Sequence, residues 1–377
     1  MSKYLYDSNI EFQNTLNRDY IHHSELSVNV YSDVIVIPYH CEKLKVDILN
    51  RGGLSVDNQL VARCNNESVC DWGYIDEEVI YIGDFWTRHY GNFLIDYLCR
   101  LWYNSKERNK KIIYVSNGLC IEKERNYLKI LEYLQIGKAQ LQRITEPTVC
   151  ATVYVPEKSM IHDYYITSVY AQIYENIWQY IEQRNNVAKL NKYEKIYLTR
   201  QQLKKHKEVG EKVFERFFEL NGFQVIAPEQ LSFIEQVVLF RHAKEIASIE
   251  GTHAHNIIFK GTSRKSYKQI ILRKQSEIIP RQVQLNQITS GNVDWIDVYC
   301  EPFKGFPISH DRGPFLLKWN EQIEQYAHDN HMILPEFRRV YAIPNMIIYI
   351  CKCIGYWLKH NIKRVYLNIK SKRICVK

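Results

Sequence analysis

The sequence lacks the phosphate loops and metal motifs by which many nucleotide-handling enzymes are recognised. Its 15 glycines never form a G-x-G-x-x-G run or a G-x-x-x-x-G-K-[ST] loop. That argues against a dinucleotide dehydrogenase and against an ordinary NTPase. No D-x-D pair occurs, so a divalent metal held by paired carboxylates finds little support. The cysteines include no C-x-x-C spacing, and most read as small buried hydrophobes and not as zinc ligands. The first thirty residues contain Asp7, Glu11, Arg18, Asp19 and Glu25 and no continuous apolar core. An export signal needs such a core, so the expected compartment is the cytoplasm. There is no internal repeat and no low-complexity tract.

Acidic residues are missing from one place in particular. From Cys351 to Lys377 the chain carries eight basic residues and no acidic one, which accounts for the whole formal net charge of +8. The charge is a local address and not a general affinity for polyanions, so nucleic acid is not an expected partner. Met346–Trp357 is apolar but too short to span a bilayer. As a helix it places Ile347, Ile350, Ile354, Trp357 and Leu358 on one face and Lys352, Lys359 and Lys363 on the other. That is the pattern of an interfacial helix lying on anionic lipid. The alternative is a helix packed on the core, ending in a solvated basic segment.

What is present is ordinary globular composition, 46% hydrophobic and 24% charged, in a chain long enough for two domains. The first half reads as α/β. Strands are expected at YSDVIVIP, EEVIYIGD, KKIIYV and TVYVPE, with helices over Thr87–Tyr103 and Glu124–Leu134. A long amphipathic helix from about 165 to 190 bridges to the second half. There, strands 195–200, 223–228, 267–273 and 292–298 alternate with helices, one of them opened by a Ser232–Glu235 capping box. Strand–helix alternation predicts a parallel, doubly wound sheet. Phe315–His328 reads as a late helix able to pack back across a cleft between the halves.

The richest stretch is EIASIEGTHAHNIIF, Glu245–Phe259. It predicts a strand, a sharp turn at Gly251 and a helix start, which would aim backbone N–H groups at an anion such as a diphosphate. Thr252, His253, His255 and Asn256 crowd the same turn with hydrogen-bonding groups. Arg200 ends the strand KIYLTR at the same sheet edge, where it would clamp a diphosphate or salt-bridge a loop carboxylate. In the first half, His89 or Asp96 would serve as a general base beside Gly91. Asp96 and Arg100 are also spaced for an i, i+4 ion pair.

In series, these residues resemble a known group. GDFWTRHYGNFLIDYLCRLW resembles a segment of the family 61 glycosyltransferases, which include many capsular-polysaccharide biosynthesis proteins. KIYLTR, NGFQVIAPEQLSFIEQVVLFRHA and IASIEGTHAHNIIF resemble that family's second block in the same order. The resemblance covers roughly Ile80–Tyr299. It implies a type-B glycosyltransferase fold, with two Rossmann-like domains facing a cleft, followed here by a basic amphipathic helical tail. The expected divisions are an acceptor domain at 1–164, a nucleotide-sugar domain at 165–305, a cleft-crossing helix within 306–345 and a membrane-surface tail at 346–377. It also implies inverting, metal-independent transfer from a nucleotide-sugar donor, with no cofactor. The acceptor would be a saccharide or lipid-linked saccharide at the inner face of the cytoplasmic membrane.

Residue by residue, the resemblance places His89, Asp96 and Glu250 as candidate catalytic groups, with Asn92 and Arg100 on the acceptor side. Arg200, Glu235, Gly251, Thr252, His253, His255 and Asn256 are expected on the donor side. The chain has Glu250-Gly251-Thr252 where many members have His-Gly-Ala, so Glu250 stands in the place of that histidine. Rival readings are a nucleotide-sugar epimerase of similar fold and a non-catalytic membrane-associated assembly protein.

Overall fold

The computed structural model describes residues 3–62, 72–85, 90–116, 129–203, 206–262, 266–309, 312–336, 338–340 and 342–374, with side chains described as far as residue 362. Among these, the first half builds β1 (Val28–Val36), β2 (Leu54–Asp57), β3 (Leu60–Ala62), β4 (Gly73–Asp84), β5 (Lys111–Val115), β6 (Leu141–Arg143) and β7 (Thr148–Pro156). They form one sheet in the order β2-β3-β1-β7-β4-β5-β6. β7, β4, β5 and β6 run parallel, as alternation predicts. β1 runs antiparallel to both β3 and β7, and β2 antiparallel to β3. This sheet therefore departs from the expected Rossmann-like first half. Only Asn58 and Gln59 separate β2 from β3, and so short a link permits a hairpin but not a parallel crossover.

A second hairpin, β8 (Met160–Ile161) with β9 (Tyr165–Ile166), leads into the bridging helix Ser168–Arg184. The helix begins later than expected because Tyr165 and Ile166 are taken by the hairpin. Thr167 then caps it, its hydroxyl accepting the Tyr170 N–H at 3.3 Å. The second half contributes β10 (Lys195–Leu198), β11 (Glu208–Val209), β12 (Gln224–Ile226), β13 (Glu245–Ile249), β14 (Lys268–Arg273), β15 (Asn292–Asp297), β16 (Tyr299–Cys300) and β17 (Phe315–Leu317). The order β12-β10-β13-β14-β15 is parallel throughout. Its central strands are near-continuous apolar runs, as a sheet covered on both faces requires. β11, β17 and β16 make a separate small sheet.

Two expected helices are broken up. Phe315–Leu317 is strand, and the helix begins only at Glu321, where the Asn320 side chain accepts the Ile323 N–H at 3.3 Å. In the first half, a short α-turn at Tyr90–Asn92 passes into a π-helical stretch at Phe93–Tyr97 and then a 3-10 helix at Leu101–Ser105. The change of winding turns Arg100 away from Asp96, and Arg100 pairs instead with Asp57 at 2.5 Å.

The halves share one core. Phe93, Leu94 and Leu98 from the first pack in the same buried cluster as Ile196, Ile246 and Phe259 from the second. Tyr170 and Tyr174 of the bridging helix both donate to the Leu94 carbonyl, at 2.7 and 2.5 Å. The N-terminal segment crosses to the second sheet: Asp297 N–H donates to Tyr4 O at 3.0 Å, and the Arg273 guanidinium lies 3.9 Å over the Phe12 ring.

The chain ends in a long helix, Ala342–Ile374. Its buried stripe is Tyr349 and Cys353, packed on Val209 and Leu316. Lys352, expected on the outer polar face, is turned inward and donates to the His206 carbonyl at 3.2 Å. Ile343, Ile347, Ile354, Trp357 and Leu358 stay exposed. No helix among the described residues is long and apolar enough to cross a membrane.

Candidate functional site

β10 and β13 are parallel neighbours, with Leu198 opposite Ser248. Their carboxyl ends therefore release Arg200 and Gly251 side by side. Gly251 has φ of 153° and ψ of −175°, a region essentially reserved for glycine. A Cβ there would lie 3.1 Å from Arg200 Nη1, so the turn also needs the missing side chain to let the guanidinium approach. A 3-10 helix, Thr252–Lys260, follows. Arg200 and the first residues of this helix line a cleft of about 390 Å³, with Tyr90, Gln236, His253 and Asn256 among its walls.

Arg200 is held at three points. Its backbone N–H donates to Glu211 Oε1 at 2.9 Å, Nε meets Glu208 Oε1 at 3.0 Å, and Nη1 meets His253 Nδ1 at 3.0 Å. Arginine has donors only, so His253 Nδ1 must accept, and the ring is neutral with its proton on Nε2. Burial and the Arg200 charge agree, holding the His253 pKa well below its ordinary value. Glu208 meets the opposite fate. Burial alone would raise its pKa, but Lys274 and Arg200 outweigh that and keep it ionised.

Asn256 and Thr252 face the first half. Tyr90 Oη donates to Asn256 Oδ1 at 2.6 Å. A Cβ on Gly91 would come within 3.0 Å of Thr252 Oγ1 and Cγ2, so glycine is what lets the two segments touch. His255 points the other way, beneath the helix Pro280–Ile288, where Nδ1 donates to Gln282 Oε1 at 2.6 Å. Burial first, then the Arg281 charge, pushes its pKa down to about 3. His255 is thus a neutral packing group and does not line the cleft.

Other expected site residues are also placed apart from the cleft. Glu235 completes the capping box, accepting the Ser232 N–H at 2.7 Å, while its neighbour Gln236 lines the cleft. Glu250 lies beneath the turn, 2% exposed, and neither carboxylate oxygen has a well-formed hydrogen bond among the described residues. Burial raises its pKa against the nearby Arg273 and Lys274 charges. Arg100 is buried against Asp57, far from the acceptor-side role expected of it. Asn92 ends the short helix after Tyr90, half-buried and with no side-chain hydrogen bond among the described residues. His89 lies outside the described residues.

Asp96 keeps its carboxylate free of hydrogen bonds and ion pairs among the described residues. Burial raises its pKa, opposed by Arg281, His162 and Lys158. Arg281 and His162 are also among the charges that act on His255. A larger groove of about 950 Å³ lies at the base of the C-terminal helix, lined largely by apolar groups such as Leu316, Met346 and Ile347. The larger groove also carries Lys318, Asn320, Arg338 and Arg339 on its walls, but the smaller cleft is the one at the carboxyl ends of parallel strands, where Arg200 and the Gly251 turn converge.

Residues 90–271 match the family model Glycosyltransferase 61. The match runs from Tyr90 through Asp96, Arg200 and the whole Gly251–Asn256 turn, so it covers both walls of the cleft. It supports a glycosyltransferase, and such a family takes a nucleotide-sugar donor and a saccharide acceptor. The fold is compatible, being mixed α/β with large sheets and flanking helices. No curated protein matches the chain. Tyr90, Glu208, Glu211 and Gln236 lie inside the matched span without having been singled out from sequence, and Lys274 lies just beyond it.

Proposed function

We propose that the protein transfers a glycosyl group, with inversion, from a nucleotide sugar bound in the cleft between Arg200 and the Gly251 turn. The observation that carries this reading is the convergence of Arg200, the N-terminal turn of Thr252–Lys260 and Tyr90 on one cavity at the strand ends. Arg200 and the backbone N–H groups of the turn bind the diphosphate. Asp96, raised in pKa and without an ion pair or hydrogen bond to its carboxylate among the described residues, takes the acceptor hydroxyl proton. The acceptor oxygen forms its bond to the anomeric carbon as the carbon–oxygen bond to the diphosphate breaks. The bonding pair leaves on the nucleoside diphosphate, whose charge is met by Arg200. In this reading the cationic side chains do the work of a metal, in keeping with the missing D-x-D pair.

The test is a panel of nucleotide sugars assayed by thermal shift and by release of nucleoside diphosphate with oligosaccharide acceptors. Asp96→Asn is expected to cut turnover roughly 10²-fold or more while leaving the stabilisation by donor within a factor of a few. No stabilisation by any donor would count against the reading. Equal turnover in Asp96→Asn would remove Asp96 from it.

The exposed stripe of the C-terminal helix supports a peripheral location. Ile354, Trp357 and Leu358 recur at helical spacing and stay exposed beyond the stretch seated on the protein. The basic, acid-free sequence around them favours an anionic lipid surface over a second, equally basic copy. A lipid-linked acceptor for a surface polysaccharide would be met there.

A further inference from the structure

Behind Arg200 lies a carboxylate that no expected donor-site role explains. Glu208 extends from β11 with a wholly buried side chain, and its Oε1 accepts from Lys274 Nζ at 3.2 Å and lies 3.0 Å from Arg200 Nε as an ion pair without hydrogen-bond geometry. Its Oε2 accepts the Lys207 N–H at 3.0 Å. Lys274 leaves the end of β14 and is itself 6% exposed. An arginine paired with one buried carboxylate has its charge cancelled before any ligand arrives. With Lys274 on the same oxygen, the three groups together keep one positive charge. Glu208, His253 and Glu211 hold Nε, Nη1 and the backbone N–H of Arg200, and Nη2 has no protein partner among the described residues. Arg200 is also the member of the three that lines the cleft.

We propose that Glu208 and Lys274 are positioning residues for a nucleoside diphosphate: Glu208 fixes the Arg200 guanidinium, and Lys274 offsets the Glu208 charge so that Nη2 meets the phosphate as an uncompensated cation. This rests on the glycosyl-transfer reading of the cleft. Burial lowers the Lys274 pKa, and Glu208 is the charge that chiefly opposes it. Losing Glu208 alone therefore costs Arg200 its orientation and gains little positive field, because an unpaired buried lysine sheds its proton. Losing Lys274 alone leaves Arg200 matched one-to-one by a buried anion. Losing both restores a single charge on Arg200, which a purely structural account would not anticipate.

The experiment is titration calorimetry of uridine, guanosine and cytidine diphosphates into the full chain at two salt concentrations. Lys274→Met is expected to weaken the tightest of them about tenfold and to flatten its salt dependence. Lys274→Gln, which keeps a hydrogen bond to Glu208 without the charge, is expected to do the same and serves if the methionine variant does not fold. The double variant Glu208→Gln/Lys274→Met is expected to recover part of that loss, binding about threefold tighter than Lys274→Met because the local charge is again that of Arg200 alone, and to stay weaker than the parent because the carboxylate no longer orients the guanidinium. Parent-like affinity in both Lys274 variants overturns the proposal, as does a double variant no tighter than the Lys274 variants. A parent chain that binds none of the three diphosphates overturns the glycosyl-transfer reading and this proposal with it. A parent chain that binds while the variants behave alike overturns this proposal alone.

Discussion

Tyr90 Oη donates to Asn256 Oδ1 at 2.6 Å, and Asn256 Nδ2 reaches Gln236 Oε1 at 3.4 Å. One phenol thus ties the first half to the turn that follows β13, at the wall of the cleft. Tyr90→Phe removes that donor and leaves Asn256 Oδ1 short of a partner. A stability loss of about 1 kcal/mol is expected by chemical denaturation. In steady-state assays the donor KM should rise several-fold, with kcat changing less. An unchanged KM would mean that the bond is only structural.

Gly251 carries two constraints at once, its dihedral angles and the 3.1 Å approach of Arg200. Gly251→Ala should lower stability by roughly 1–3 kcal/mol from backbone strain alone. The methyl group also pushes the guanidinium off its partners, so nucleoside diphosphate binding should fall by more than the change in folded fraction explains. Calorimetry below the unfolding transition separates the two effects.

Glu211 sets a pH dependence. It is fully buried, accepting the Arg200 N–H, the Tyr197 hydroxyl at 3.2 Å and the Gln201 amide at 3.1 Å. Burial, aided by Glu208 and Glu215, outweighs those donors and pushes its pKa up to about 7 from 4.5. For an acid shifted upward, the native state binds the proton that the unfolded chain has released. Its contribution is therefore fully present below about pH 4.5 and is lost as pH rises through about 7. The change across that window is on the order of 3 kcal/mol. Glu211→Gln should be less sensitive, so the difference in unfolding free energy between parent and variant should shift with pH in favour of the variant. A constant difference from pH 4.5 to 7.5 would contradict this assignment.

Vesicle sedimentation addresses the C-terminal helix. Ile354→Glu combined with Trp357→Glu places two charges in the exposed stripe, away from the buried Tyr349 and Cys353. Partitioning onto anionic vesicles should drop at least about tenfold, and the parent chain should bind zwitterionic vesicles weakly. Equal sedimentation of parent and variant on anionic vesicles would leave the stripe without that role.

The parallel second sheet was legible because each strand is an apolar run closed by a helix signal, as in Glu245–Ile249 or Lys268–Arg273. Ser232 and Glu235 announced their helix, and the structure shows both bonds of the capping box. The antiparallel edge of the first sheet was not legible. Whether Val28–Val36 pairs in one direction or the other is decided by partners distant in sequence, and its side-chain pattern fits both. At the site, Arg200, Gly251, Thr252, His253 and Asn256 could be read as a group because they cluster at strand ends. His255 could not be separated from them, because one residue along a tight 3-10 helix turns a side chain from the cleft to the core. Glu208 and Lys274 carry no local signal. They matter only because β11 and β14 bring them onto one oxygen atom.

The seat of the C-terminal helix has a practical consequence for how the chain is cut. Tyr349 and Cys353 roof Val209 and Leu316, and Lys352 fastens the loop at His206, next to the strand that carries Glu208. A version ending near residue 346 would bare that apolar floor, at about 1.5–3 kcal/mol for each large side chain exposed. It would also unmoor β11, so inactivity in such a protein would report on Arg200 and not on lipid. A stop codon placed beyond Gly355 spares the roof and removes most of the basic segment. Where the chain is trimmed decides which question the trimmed enzyme answers.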